Sequence, residues 1–80
     1  MKIRVLTFGI VRDITNTGNL WVELPAGSNS ADLQTLLQEQ FPALKRLNSL
    51  RIAVNAEYVT PDTLLRDNDE IALIPPVSGG

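Results

Sequence analysis

The residues with the most distinctive chemistry are Pro75-Pro76-Val77-Ser78-Gly79-Gly80. Proline has no N–H to donate and holds φ near −65°, so two in succession stop sheet pairing and start an extended, polyproline-like stretch. The five residues from Pro76 to Gly80 span roughly 16–18 Å when extended at ~3.3–3.6 Å each. Glycine carries no Cβ, so Gly79 and Gly80 can enter a narrow channel and take up dihedrals closed to other residues. The pattern predicts a globular part over residues 1–76 and a slim, flexible tail over 77–80, stiffened at its root by the prolines. The reactive group of such a tail is the terminal carboxylate.

Composition leaves few side-chain alternatives. The 80 residues contain no cysteine and no histidine, which removes disulfides, thiolate nucleophiles, imidazole bases and the usual zinc ligands together. Ser28 and Ser30 have no base partner in such a chain and read as turn and cap residues. The acidic run Asp67, Asp69 and Glu70 lacks the spacing and the distal bidentate glutamate of a calcium loop, so it reads as a solvated turn, and no metal site is expected. Seven Lys and Arg against nine Asp and Glu give a net charge of −2, and no basic cluster exceeds Lys45-Arg46. A nucleic-acid partner is not expected. Apolar runs are far shorter than the roughly 20 residues that span a bilayer, and the first residues show no signal-peptide pattern. The expectation is a cytoplasmic protein with no membrane association.

The elements that must position the tail follow from periodicity. Residues 2–8 alternate like a strand, Val11 to Thr15 allow one helical turn, and Asn16-Thr17-Gly18-Asn19 turn into a second strand over Leu20 to Leu24. Leu33, Leu36, Leu37 and Phe41 then form a one-faced helical stripe, with Ser30 as the expected N-cap, Asp32 in the first turn and Pro42 as terminator. A short irregular or helical piece follows over Ala43 to Asn48, with Leu44 and Leu47 at the core edge. Arg51 to Val54, a turn at Asn55-Ala56 or Asn55-Ala56-Glu57, and Tyr58-Val59 read as a strand pair. Leu64 and Leu65 are expected to cap the edge, and Asp67-Asn68-Asp69 to turn into a last strand, Glu70 to Ile74. This order predicts an α+β fold with one main helix packed across a mixed sheet, the last strand lying parallel to the first at the sheet centre. That is the ubiquitin-like β-grasp arrangement.

Three segments carry a more specific resemblance: Val5-Leu6-Thr7-Phe8-Gly9 with Val11-Arg12-Asp13-Ile14, then Ala53-Val54-Asn55, and above all the block from Asp67 to Gly80 ending Pro-Pro-Val-Ser-Gly-Gly. Over essentially its whole length the chain resembles the small subunits of molybdopterin synthase, sulfur carriers of the ubiquitin-like superfamily. Asn68 stands where that family more often has glycine, a departure that asparagine's tolerance of left-handed dihedrals makes mild. The resemblance implies that a partner enzyme uses ATP to adenylate Gly80 and then converts it to a thiocarboxylate. It further implies that the loaded tail enters the large synthase subunit, in a heterotetramer, and donates sulfur to cyclic pyranopterin monophosphate to build the molybdopterin dithiolene. In that role Gly80 is the modified residue, Gly79 provides clearance, Pro75, Pro76, Val77 and Ser78 position the tip, and the catalytic side chains lie on the large subunit. No cofactor is expected on this chain; ATP belongs to the activating enzyme. A carrier for thiamine or another sulfur-containing metabolite, and a ubiquitin-like modifier joined through Gly80 to lysine amines, are the alternatives. The double proline favours the synthase subunit over the thiamine carrier.

Strand alternation adds a docking expectation. With Ile3 and Val5 facing the helix, Leu6 and Phe8 face away; with Ile71 and Leu73 inward, Ala72 and Ile74 point outward. Phe8, Tyr58 and Ile74 are thus expected as an exposed apolar patch at the tail root, of the kind that marks an interface. Arg12 is expected either to meet an acidic group on a partner or to form an ordinary surface pair with Asp13 or Glu70.

Overall fold

The computed structural model describes residues 1–47 and 50–75. The elements run β1 (Lys2–Thr7), α1 (Gly9–Thr15), β2 (Asn19–Glu23), α2 (Ser30–Gln40), a 3-10 helix (Pro42–Arg46), β3 (Arg51–Val54), β4 (Glu57–Tyr58) and β5 (Glu70–Ile74). They form one five-stranded mixed sheet in the order β2-β1-β5-β3-β4. β5 lies at the centre, parallel to β1 (Val5 opposite Ile71, Thr7 opposite Leu73) and antiparallel to β3 (Ile52 opposite Leu73). The expected α+β, β-grasp topology is therefore the observed one.

Alternation decides the layering. Ile3, Val5, Ile71 and Leu73 are fully buried and cluster with Val22 and Ile52 from the sheet, Leu24 just after β2, and Leu33 and Leu37 from α2. Removing each such side chain from water contributes about 1.5–3 kcal/mol. Val11, Leu44 and Leu65 close the ends of this core, while Leu36, Phe41 and Leu47 pack partly buried against it. Pro42 ends α2 as anticipated: Phe41 leaves helical dihedrals and its N–H closes on Leu37 O at 2.8 Å.

Three local expectations are corrected. The N-cap of α2 is Asn29, not Ser30: Asn29 Oδ1 accepts from the Asp32 N–H and Asp32 Oδ2 accepts from the Asn29 N–H, both at 2.9 Å. This reciprocal pair satisfies two otherwise orphaned donors and moves the helix start by one residue; Ser30, now inside the helix, is buried. The helix after β1 is also longer than one turn, because it begins at Gly9. Of the leucine pair, only Leu65 enters the core; Leu64 is exposed. The isolated bridge between Leu64 and Asn29 holds this segment extended, so neighbouring side chains point in opposite directions.

Two turns carry positive φ. Asn55 (φ 50°) and Ala56 (φ 73°) link β3 to β4 in the conformation of a type I′ hairpin turn, and Asn68 (φ 68°) reverses the chain before β5. Asn55 also bridges both turns. Its amide donates to Asp69 at 3.0 Å, its carbonyl oxygen accepts the Glu70 N–H at 3.1 Å, and its own N–H reaches Glu70 O at 2.8 Å. Asp69 further accepts the Arg66 N–H and Asp67 the Lys2 N–H. The acidic turn is thus committed to structural hydrogen bonds.

Ala56 is the one non-asparagine side chain in the left-handed region. Ala56→Gly is expected to raise stability by about 0.5–1 kcal/mol, and Asn29→Ala to lower it by about 1 kcal/mol, with unchanged denaturant slopes in urea unfolding.

Candidate functional site: the tail root and the outer face of the sheet

Pro76, Val77, Ser78, Gly79 and Gly80 lie outside the described residues, so the site is built from its root. β5 delivers the chain to Pro75 from the middle of the sheet, with Ile74 opposite Arg51 of β3 and Leu73 opposite Thr7 of β1. On the β1 side the next residue is Phe8, followed by Gly9 at φ +53°. A Cβ added to Gly9 would meet Pro75 Cγ at 3.3 Å. Glycine there lets the start of α1 turn left-handed and close onto the tail root.

The α1 segment is held in place by threonines. Thr7, the buried last residue of β1, donates its hydroxyl to Thr17 O, which also accepts the Thr15 hydroxyl at 2.9 Å. The Thr7 N–H reaches Gly18 O at 3.1 Å. These bonds tie the end of β1, the end of α1 and the following turn into one unit, which fixes Phe8 and Gly9 beside Pro75.

On the face away from α2, register aligns Leu6, Ala72, Ala53 and Tyr58 across four strands, with Ile74 and Arg51 one step nearer the tail. Phe8 is 49% exposed and Tyr58 57%, while Ile74 is half-buried. Ala53, only 4% exposed, forms the floor of this patch. At the other end of the same face stand Trp21, 59% exposed with Lys2 Nζ 5.8 Å from its ring centroid, and an Arg4–Glu70 pair at 2.9 Å. That pair is solvent-exposed and contributes at most about 1 kcal/mol.

Arg12 is not part of the patch. It lies in the last turn of α1 against the following turn, where a Cβ added to Gly18 would meet its Nε at 3.4 Å. Neither expected ion pair forms among the described residues: Glu70 is taken by Arg4, its neighbour in the β1–β5 register, and Asp13 has no partner within ion-pair distance. Sequence reading missed Arg51, whose guanidinium carbon sits 4.2 Å from the Tyr58 ring centroid. The signal was available, since Arg51 occupies an outward position of a strand that pairs with the strand carrying Tyr58.

The described residues hold no cluster of His, Cys, Asp or Glu arranged to bind a metal, and no helix among them is long and apolar enough to cross a membrane. Asp62 has its carboxyl held below the usual carboxylate range by the Thr60 hydroxyl and its own backbone N–H, but it is fully exposed and lies near the start of α2. An ionised, hydrated carboxylate of that kind is unsuited to general-acid work at neutral pH.

The two faces predict opposite responses to truncation. Leu73→Ala should cost about 2–5 kcal/mol through an internal cavity. Phe8→Ala and Tyr58→Ala should each cost less than about 1 kcal/mol, because both side chains already face water. Thermal unfolding of the three variants measures the difference.

Comparison with known proteins agrees with this architecture. The ThiS family matches residues 5–80. A molybdopterin synthase sulfur carrier subunit from Arabidopsis thaliana is 36% identical over 81 residues, covering 100% of this chain and 84% of its own. Among solved structures, a putative molybdopterin converting factor subunit 1 from Pyrococcus furiosus superposes with a TM-score of 0.90 at 28% identity, over 96% of this chain and 99% of that one. Subunit 1 in a complex of subunits 1 and 2 of the molybdopterin-converting factor from Helicobacter pylori does so with a TM-score of 0.72 at 31% identity, over the full length of both. With sequence and backbone agreeing end to end, the chain belongs to the ThiS family and is related throughout its length to molybdopterin synthase sulfur carrier subunits.

Proposed function

We propose that this chain is the sulfur carrier subunit of a molybdopterin synthase and that Gly80 carries the sulfur. The observation that carries the reading is the placement of the tail root. The central strand leads directly into Pro75 beside an exposed apolar patch. The 36% identical relative supplies the choice of pathway.

The chemistry follows from the group at the tip. A carboxylate is a poor electrophile, so a separate activating enzyme uses ATP to form an acyl-adenylate on Gly80, releasing pyrophosphate. A sulfur nucleophile then displaces AMP and leaves a thiocarboxylate. Its polarisable sulfur attacks a carbon of cyclic pyranopterin monophosphate inside the large subunit and displaces an oxygen. Water then cleaves the acyl–sulfur bond, which leaves the sulfur on the pterin and returns Gly80 to a carboxylate. A second loaded chain repeats the donation to complete the dithiolene. Pro75 and Pro76 restrict the direction of the tail, which lowers the ordering cost of inserting it. Gly79 and Gly80 fit a narrow channel without side-chain clashes. Phe8, Tyr58 and Ile74 seat the head on the large subunit, and Arg12, on a separate surface, serves contacts with a partner enzyme. The catalytic side chains belong to the large subunit, and the complex is a heterotetramer located in the cytoplasm.

Intact-mass measurement after co-expression with the cognate activating enzyme tests the central step. The expected result is a gain equal to replacing one oxygen by sulfur, confined to the C-terminal fragment. Deleting Gly80 should abolish the gain while leaving the melting temperature unchanged. A terminus that stays unmodified under every loading condition, or a Gly80 found in amide linkage to lysines of other proteins, would remove the carrier reading.

A further inference from the structure

We propose that Arg51 is the charge-selecting residue of the docking face, and that the partner seated there presents a carboxylate to it. This rests on the reading of that face as the seat for the large subunit. Arg51 stands opposite Ile74, the last residue of β5 before Pro75, so its backbone lies beside the strand end that leads to the tail. The guanidinium carbon lies 4.2 Å from the Tyr58 ring centroid. A guanidinium over an aromatic ring is attracted to its face and keeps N–H donors for a second partner, and the fork of a guanidinium matches a carboxylate bidentately.

Charge accounting points the same way. Arg4, the other arginine on this face, is already neutralised by Glu70 at 2.9 Å. Among the described residues no carboxylate lies within ion-pair distance of Arg51. Its neighbours in the sheet are Ile74, Ala53 and Tyr58, and it lines a shallow depression with Ser30, Gln34, Leu50, Val59 and Pro61; none of these supplies a side-chain carboxylate. A partner covering this apolar patch also covers Arg51, and burying an unpaired guanidinium is strongly unfavourable. Only a partner that brings an acidic acceptor to the tail root avoids that penalty. The complementary surface is therefore apolar opposite Phe8 and Ile74, with an Asp or Glu at the rim of the channel that admits the tail. The chain's net charge of −2 gives no general attraction to acidic surfaces, so Arg51 imposes this preference locally.

The test titrates the cognate large subunit with the full chain, wild type and the variants Arg51→Leu, Arg51→Lys and Arg51→Glu, by calorimetry at low and high salt. Arg51→Leu is expected to weaken binding about tenfold or more and to flatten its salt dependence, with Arg51→Glu weaker again and Arg51→Lys between wild type and Arg51→Leu. Melting temperatures should stay near wild type, since Arg51 is exposed. Changing the matching acidic residue of the large subunit to arginine should restore binding of Arg51→Glu. If Arg51→Leu binds within about twofold of wild type with the same salt dependence, this assignment fails while the sulfur-carrier reading stands. Sulfur loading of a wild-type chain that does not bind the large subunit overturns both the assignment and the synthase reading.

Discussion

The parallel pairing of β1 with β5 is the constraint on which the rest of the molecule depends. It joins residues 2–7 to residues 70–74 and so fixes the long-range topology. Because the pairing is in the middle of the sheet, both strands are hydrogen-bonded on both edges. Their inward side chains (Ile3, Val5, Ile71 and Leu73) are all fully buried against α2 and its neighbours. The same two strands determine where the C-terminal residues leave the head. A chain emerging from a central strand is anchored on both sides, whereas one leaving an edge strand can fray.

Alternation then converts one pairing into two surfaces. The inward positions supply the core, and the outward positions supply the patch formed by Leu6, Ala72, Ile74 and their cross-strand neighbours Ala53, Arg51 and Tyr58. Core and outer surface draw on different atoms of the same strands, so the outer face can vary without dismantling the core. The turn that starts β5 is correspondingly rigid. Asn55, Asp67 and Asp69 spend their polar groups on backbone N–H donors from Glu70, Lys2 and Arg66, which holds the β3–β4 and β5 turns together.

The electrostatic design is sparse. The Arg4–Glu70 pair and the Lys2–Trp21 contact occupy the end of the outer face remote from the tail. Nearer the tail root, Arg51 sits over Tyr58 among the exposed or half-buried apolar residues Phe8 and Ile74. An apolar patch provides contact area without much discrimination, whereas a single directed cation rejects partners that cannot pair with it.

The sequence by itself determined the chemistry and most of the fold. The absence of cysteine and histidine, the double proline and the terminal glycines are composition and order, which need no folding to read. The strands and α2 announced themselves through periods of two and 3.6, which gave the inward set Ile3, Val5, Ile71 and Leu73, while the order of elements suggested the central parallel strand without forcing it. Tertiary structure alone decided the features that depend on a partner distant in sequence or on local competition for hydrogen bonds. Asn29 rather than Ser30 caps α2 because Asp32 reciprocates. Glu70 goes to Arg4 rather than Arg12 because the β1–β5 register sets those two side by side. Gly9 accommodates Pro75, and Arg51 finds Tyr58, only once the sheet has assembled. Periodicity records which face a residue occupies; which neighbour it meets there is set by register, and register exists only between paired strands.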